Sequence, residues 1–271
     1  MPKYDALSTR MKLYEMPEAG RRLMPLLPIC IRLDGNNFSK FTQGLARPYD
    51  ARLSGLMVRL TNYLVRETGA TIGYTQSDEI SLVCYSDVFK CQPYFDGRVQ
   101  KIESILAAKA SVFFNSLLGE FLPEKAGLSP VFDCRCWNVP TKTEAANTLL
   151  WREKDATRNS ISMAAQEHYT HIELFKKSTN EKQEMLLARG INWNDYPSFF
   201  KRGVFVRKQT TLRSFTMEEL DGLPEKHAAR HNKDLLIERS EIMEISMPPF
   251  GQVLNREAVI FDGEAPVRGE V

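Results

Sequence analysis

The stretch ATIGYTQSDEISLVCY, residues 70–85, decides the fold. Two apolar runs, 70–75 and 80–85, flank the polar tetrapeptide QSDE at 76–79. Two short runs of this kind on either side of a polar tetrapeptide are typical of antiparallel strands joined by a turn. The pattern therefore predicts a β-hairpin that carries two carboxylates at its tip.

Further regular elements are predicted on both sides of this hairpin. Residues 24–33 predict a buried strand that ends in the turn DGNN, and residues 50–66 have the apolar spacing of a helix. A second amphipathic helix includes residues 102–117, and residues 130–140 predict another strand. The order β-α-β-β-α-β is the split-βαβ, or ferredoxin-like, arrangement, in which two helices cover one face of an antiparallel sheet. The expected fold class is therefore α+β.

The second half of the chain predicts a helical extension. Residues 141–189 are helical in pattern, while 203–212 and 241–249 predict short strands. AVIFDGEAPV at 258–267 predicts a terminal hairpin, because Asp-Gly suits a turn with positive φ. We expect a catalytic core over residues 1–140 and a helical and mixed part over 141–271 packed on it as one structural unit.

Composition excludes several classes of protein. The 271 residues carry a formal net charge of +2, so a polyanion site requires local clustering of basic residues. The longest apolar stretch, Leu23–Ile31, is far shorter than a membrane span, and the first 15 residues lack the apolar core of a signal peptide. Five cysteines without a C-x-x-C pair argue against a disulfide framework and a zinc site. We therefore expect a cytoplasmic protein with no membrane partner.

Acidic residues mark the predicted site. Asp34 ends the first strand and precedes the glycine of a tight turn, while Asp78 and Glu79 lie at the hairpin tip. In a split-βαβ sheet the first strand lies beside this hairpin, so the acids project from the same edge. Clustered carboxylates repel one another unless a cation neutralises them, and oxygen ligands without His or Cys suit Mg²⁺. The alternative is that DG and SDE are simply polar turns, as Asp262-Gly263 illustrates.

Basic residues lie where a triphosphate could use them. Arg47 follows the DGNNFSKFT segment, and Arg98 and Lys101 begin the second helix. Backbone N–H groups at a helix start and in the turn at 35–39 are natural phosphate donors. The alternative for Arg98 and Lys101 is a solvated helix face.

Other candidates have weaker patterns. His227 and His231 are four residues apart but lie in a polar segment without a metalloprotease glutamate, which predicts an exposed helix. Trp151 and Trp193 could stack on bases, although an aromatic side chain that anchors a helix to the sheet is more common.

Taken together, several motifs resemble the tRNA-His guanylyltransferase family, most closely its branch of tRNA-guanylyltransferase-like enzymes. They are RLDGNNFSKFT (32–42), ARPYD (46–50), GYTQSDEISLV (73–83), FDCRCWNVP (132–140), WREKD (151–155) and KRGVFVRK (201–208). The resemblance implies a polymerase-like palm and two Mg²⁺ ions. It also implies activation of a tRNA 5′-monophosphate by ATP or GTP, followed by nucleotide addition in the 3′→5′ direction. A homotetramer is the expected assembly.

The resemblance also assigns residues. It implies catalytic roles for Asp34, Asp78 and Glu79, and metal binding by Asp34, Asp78 and the carbonyl of Gly35. The nucleotide site would include Asp34, Gly35, Asn36, Asn37, Phe38, Ser39, Ser77 and Asp78. Arg47, which stands where the family usually has lysine, would join Arg98 and Lys101 as a triphosphate ligand. Arg135 and Asn159 would contact tRNA.

One segment departs from the family pattern. Where the tRNA-His enzymes carry His-Ile-Asn-Asn, this chain has Thr157-Arg158-Asn159-Ser160, and Met163 replaces a further asparagine. The departure favours templated repair of tRNA 5′ ends over addition of the extra G to tRNA-His. That G addition stays open as an alternative, as do a non-catalytic RNA-binding module and a palm-type cyclase that uses no tRNA.

Overall fold

Six antiparallel strands form a single sheet in the computed structural model, which describes residues 6–91, 93–232 and 234–269. The strands are β1 Ile29–Asn36, β2 Ile72–Gln76, β3 Glu79–Cys84, β4 Val131–Asn138, β5 Val204–Ser214 and β6 Leu236–Ile245. Their order in the sheet is β4-β1-β3-β2-β5-β6. The first four strands therefore have the predicted split-βαβ order, and the β5–β6 hairpin extends the sheet beyond β2.

Ten α-helices are defined among the described residues. They are α1 Ala6–Ala19, α2 Phe38–Phe41, α3 Ala51–Thr68, α4 Val99–Phe121, α5 Lys142–Gln166, α6 His171–Leu174, α7 Thr179–Ala188, α8 Ser198–Arg202, α9 Met217–Asp221 and α10 Ala228–His231. The helix predicted at 50–66 is α3, whose first turn is capped by the carboxylate of Asp50. It ends at Gly69, whose positive φ of 66° suits glycine.

The sheet is covered on both faces. Helices α3 and α4 pack on one face, as predicted, and bury a core that includes Leu33, Leu60 and Leu106. Helix α5, from the predicted helical extension, covers part of the opposite face, where Leu149 packs with Tyr74 and with residues of the C-terminal segment. Alternate residues of each strand point to opposite faces, so the odd- and even-numbered side chains of β1 enter different environments.

Helix α4 has the length and composition of a membrane span, but its packing accounts for them. Ile102, Leu106, Ala110 and Phe114, spaced by about one helical turn, are buried against the sheet. A core helix of this kind passes the same test of length and hydropathy as a membrane-spanning helix.

Two local predictions need correction. The DGNN segment is not entirely a turn: β1 continues through Asn36, because Asp34 pairs with Glu79 and Gly35 pairs with Phe132 on the neighbouring strands. The terminal hairpin at 258–267 is wrong. Residues Ala258–Asp262 form a short π-helix, and Gly263, with φ of 74°, ends it instead of turning a hairpin.

Candidate active site

The end of β1 and the tip of the β2–β3 hairpin meet at one edge of the sheet. Asp34 pairs in register with Glu79, and the Gly35 N–H donates a hydrogen bond of 3.0 Å to the Asp78 carbonyl oxygen. Ser77, with φ of 54°, lies at the turn. The predicted juxtaposition of Asp34, Asp78 and Glu79 is therefore present.

Gly35 is required here by close packing. A Cβ atom at this position would lie 2.3 Å from the Phe38 ring. That ring is itself buried among Phe41, Phe114 and Phe132. The Phe38 side chain is therefore a core residue, and only its main chain remains to face a ligand, whereas Asn36, Asn37 and Ser39 are exposed.

Two arginines hold Glu79. Arg152 of α5 donates from Nε and Nη2 to the two carboxylate oxygens of Glu79, both at 2.5 Å, and also contacts Asp155 at 2.7 Å. Arg32 Nη2 lies 2.7 Å from Glu79 Oε2 and 2.9 Å from Asp34 Oδ2. The side chains of Arg152 and Glu79 are about nine-tenths buried. Glu79 is therefore a neutralised, immobilised carboxylate that orients its neighbours.

Asp78 has a different environment. It forms no ion pair with any residue that the structure describes. Burial raises the pKa of the Asp78 carboxyl above its usual value, and the nearby negative charge of Asp34 raises it further. Among the described residues, no cation therefore neutralises the Asp78 carboxylate, which lies close to the carboxylate of Asp34.

These residues form what we call the carboxylate cleft, between the hairpin tip and α5. Its lining consists of Arg32, Asp34, Gln76, Ser77, Asp78, Glu79, Arg152, Asn159, Ser162, Met163 and Gln166. Asn159, a predicted tRNA contact, is exposed in this cleft, and Met163 lies beside it. Ser160 points elsewhere: its hydroxyl is buried and contacts Trp193 and the Lys201 carbonyl.

A second cavity, the side pocket, adjoins the cleft and shares Gln76, Ser77 and Met163 with it. Its remaining lining is largely apolar: Thr42, Leu45, Ala46, Arg47, Pro48, Tyr49, Asp50, Leu53, Ser54, Phe199 and Phe200. Arg47 thus lies in the pocket, close in space to Ser77. An apolar pocket with a few polar groups is typical of the part of a ligand site that holds a flat ring.

Arg98 and Lys101 are not brought to this edge. Asn115 near the end of α4 donates to Pro130, just before β4, whereas Glu103 near its start accepts from the Cys136 N–H. Because Cys136 lies opposite Ile31, helix α4 begins at the far end of the sheet from Asp34. The role of Arg98 and Lys101 as triphosphate ligands stays a prediction, and within one chain these two residues cannot share a site with Asp34.

The carboxylates fit a divalent cation. No cluster of three His, Cys, Asp or Glu side chains arranged as metal ligands occurs in the described part of the chain. Asp34 and Asp78, however, bring two negative charges close together, and Asp78 has no cationic partner among the residues that the structure describes. Mg²⁺ commonly binds through one or two carboxylates and completes its shell with water and substrate phosphates. This donor set suits that ion.

Sequence reasoning missed the two arginines and most of the side pocket. Arg32 has a detectable signal, because it is two residues from Asp34 on a strand and shares its face. Arg152 is 73 residues from Glu79 and shows no local signal. Phe199 and Phe200 reach the side pocket from α8, which only tertiary structure brings there.

Comparison with known proteins agrees with this architecture. The sequence model described as tRNAHis guanylyltransferase matches residues 8–140. An uncharacterized protein of Acanthamoeba polyphaga mimivirus is 33% identical over 229 residues, which cover 76% of this chain and 78% of that protein. The tRNA(His) guanylyltransferase of Saccharomyces cerevisiae is 28% identical over 222 residues, with coverage of 74% and 91%.

Solved structures give the same result. A bacterial tRNA(His) guanylyltransferase-like protein in complex with ATP has a TM-score of 0.71 and 36% identity, covering 74% of this chain and 88% of that one. A bacterial tRNA(His) guanylyltransferase-like protein in complex with GTP has a TM-score of 0.71 and 29% identity, with coverage of 91% and 94%. The chain is a nucleotidyltransferase. The chain belongs to the tRNAHis guanylyltransferase family.

Proposed function

We propose that this protein adds nucleotides in the 3′→5′ direction to the 5′ end of tRNA after activating that end with ATP or GTP. The observation that carries the proposal is the pair Asp34 and Asp78, which lines the carboxylate cleft beside Ser77, a residue that also lines the side pocket. Substrates of this chemistry are inferred from the relatives, which are tRNA(His) guanylyltransferases and related proteins bound to ATP or GTP.

In this proposal the first four strands serve as a polymerase-like palm, within a catalytic core over residues 1–140 on which 141–271 pack. Asp34, Asp78 and the carbonyl of Gly35 would hold two Mg²⁺ ions. When bound, the ions supply Lewis-acid stabilisation of phosphoryl transfer. Arg32 neutralises part of the acidic charge and, through Glu79, ties the Asp34 carboxylate to the rigid helix α5.

The two cavities separate the two substrates. The side pocket, whose lining includes Arg47 and Ser77, would take the base of a nucleoside triphosphate. The exposed Asn36, Asn37 and Ser39 would join Arg47 and Ser77 in contacting its phosphates. The carboxylate cleft, which contains Asn159, would receive the tRNA end. In the addition step, the 3′-hydroxyl of the incoming nucleotide attacks the activated 5′-phosphorus, and the activating nucleoside monophosphate leaves.

Templated repair of tRNA 5′ ends is the favoured reaction. Ser160 stands at the position of the second asparagine in the family's His-Ile-Asn-Asn run. Its side chain is buried and accepts a hydrogen bond from the Trp193 indole, so it does not face a ligand. Of the His-Ile-Asn-Asn side chains that the family links to tRNA-His identity, this segment thus keeps only Asn159. We further propose a cytoplasmic homotetramer in which Arg98 and Lys101 of a neighbouring copy complete the site.

A 5′-extension assay tests the proposal. Purified protein, Mg²⁺, ATP and all four nucleoside triphosphates are incubated with two 5′-monophosphorylated tRNAs: tRNA-His without its extra G, and another tRNA without its first nucleotide. We expect extension of the truncated tRNA by the base that complements the opposite strand. Extension of tRNA-His alone would instead establish G addition, the second candidate.

A matched pair of variants controls this assay. Asp78→Asn should abolish extension. Asp262→Asn, in the Asp262-Gly263 pair and outside both cavities, should leave it unchanged. Nucleotide consumption without RNA would indicate a cyclase, and tRNA binding with no reaction of any kind would indicate a non-catalytic RNA-binding module.

A further inference from the structure

The two candidate stacking tryptophans have opposite environments. Trp193 is 8% exposed, and its indole N–H donates to Ser160 Oγ at 3.2 Å, so it anchors the chain before α8 to helix α5. Trp151 lies on α5 as well but is 51% exposed. An anchoring role therefore accounts for Trp193 and leaves Trp151 unexplained.

The Trp151 ring is coupled to the carboxylate cleft. The Arg152 guanidinium lies 4.5 Å from its ring centroid, a cation–π contact that fixes the orientation of the ring. The same guanidinium holds Glu79, and Arg32 links Glu79 to Asp34. Trp151 is thus part of one chain of contacts that ends at a proposed metal ligand.

Trp151 lies near strands β1 and β4, on the face of the sheet that α5 covers. Thr148, one helical turn earlier on α5, contacts Cys30 of β1, and Cys30 pairs in register with Trp137 of β4. Arg135 follows on the same face of β4, pairs in register with Arg32, and has a side chain that is 56% exposed. Trp151 of α5 therefore lies near Trp137 and Arg135 of β4, on the same face of the sheet as Arg32 of β1.

We propose that Trp151 is a stacking platform for the terminal base at the 5′ end of the RNA substrate, with Arg135 beside its phosphate. This proposal rests on the function proposed above. The carboxylate cleft, which receives the RNA end in the proposed function, shares Arg32 and Arg152 with this surface. An exposed indole can stack on a terminal base, and guanidinium groups bind phosphates.

The first test compares two substitutions of Trp151 by direct RNA binding. Trp151→Leu keeps an apolar cover over Arg152 but has no π face, whereas Trp151→Phe retains one. In the absence of metal and nucleotides, we expect Trp151→Leu to weaken binding of the 5′-monophosphorylated tRNA by about tenfold and Trp151→Phe by less. In steady-state extension, KM for tRNA should rise in the same order, while KM for the nucleoside triphosphate stays unchanged.

Phe175→Leu is the matched control. Phe175 is 62% exposed, has Lys176 Nζ 5.4 Å from its ring centroid, and lies outside the cleft lining. We expect it to bind tRNA as the wild type does. An equal loss in this variant would show a general effect of exposed aromatic groups and would overturn the proposal.

A second test identifies the stacked base. With an RNA whose 5′-terminal nucleotide is abasic, the wild type should lose about tenfold in affinity, and Trp151→Leu should cause no further loss. A full additional loss, a rise in KM for the triphosphate instead of tRNA, or a lower unfolding temperature with unchanged RNA affinity would each contradict the proposal. The last result would mean that Trp151 only shields the Arg152–Glu79 pair.

Failure of the proposed function and failure of the Trp151 stacking proposal give different experimental results. If the wild type binds tRNA but never extends it, the proposed function fails, while the abasic comparison still decides the role of Trp151. If the wild type extends tRNA and Trp151→Leu binds it normally, only the stacking proposal fails. If the wild type binds no tRNA, both fail.

Discussion

Asp78 and Glu79 are adjacent in the hairpin turn and have opposite electrostatic environments. Glu79 is held by Arg152 and Arg32, whereas Asp78 has no cationic partner among the described residues and lies near the charge of Asp34. One acid is already neutralised by the protein, and the other is held in an unfavourable state that a cation would relieve. The comparison supports the proposal that Asp78 binds a cation, whereas Glu79 stabilises the fold.

The largest expected effect is on activity, at Asp78. Replacing it with asparagine removes the charge that would hold the metal, which contributes several kcal/mol to phosphoryl transfer. We expect the extension rate to fall about a thousandfold, or ~4 kcal/mol at 1.36 kcal/mol per decade. Unfolding by urea should give an unchanged or slightly higher stability, because repulsion with Asp34 is removed. A destabilised Asp78→Asn variant would mean that the two acids have similar roles.

Glu79 should show the reverse pattern, with its main effect on stability. Glu79→Gln leaves the buried Arg152 guanidinium without its main partner, and breaking a buried ion pair costs about 3 kcal/mol. Urea unfolding measures this loss. Glu124→Gln is the control, because Glu124 pairs with Arg52 while 42% exposed, and solvent screening leaves such a surface pair with little effect on stability. Equal losses in the two variants would contradict the buried role of Glu79.

A smaller effect is expected at Gly35, which places Asp34 beside Asp78. Gly35→Ala forces the Phe38 ring out of its aromatic cluster, and overpacking of this kind costs about 2 kcal/mol. Gly119→Ala in α4 is the matched control. A Cβ atom there meets no other atom within 4 Å, so alanine should stabilise the helix by about 0.5–1 kcal/mol. Gly35→Ala should therefore lower the unfolding temperature and Gly119→Ala should raise it, and thermal unfolding measures both changes.

The smallest effect concerns pH. Because folding raises the pKa of Asp78 above 3.8, the folded protein binds this proton more tightly than the unfolded chain does. Without metal, the contribution of Asp78 to stability should therefore decline as pH rises above about 4, and Asp78→Asn should remove that decline. Asp50 provides the opposite sign: the Arg52 guanidinium lowers its pKa to about 2, so its contribution is lost as pH falls from about 4 towards 2. Unfolding midpoints across this range, in metal-free buffer, measure both.

The sequence predicts the parts of this site that depend on local pattern and strand order. The hairpin, the two helices and the split-βαβ order bring Asp34 and Asp78 together, as expected from periodicity alone. The Glu79–Arg152 pair requires α5 to cross the opposite face of the sheet, which no local pattern encodes. The hairpin predicted at Asp262-Gly263 was wrong because this dipeptide also suits the end of a helix. Asp262 is the last helical residue, and Gly263 ends the helix in the left-handed conformation.

Metal binding to wild type and Asp78→Asn is the most direct test of the central claim that Asp34 and Asp78 form the metal site. Mn²⁺ in place of Mg²⁺ can be titrated in the presence of ATP and followed by electron paramagnetic resonance, with Asp262→Asn as the control. The account predicts that Asp78→Asn loses at least one bound ion per chain while Asp262→Asn binds as the wild type does. Unchanged Mn²⁺ binding by a folded Asp78→Asn variant would contradict it.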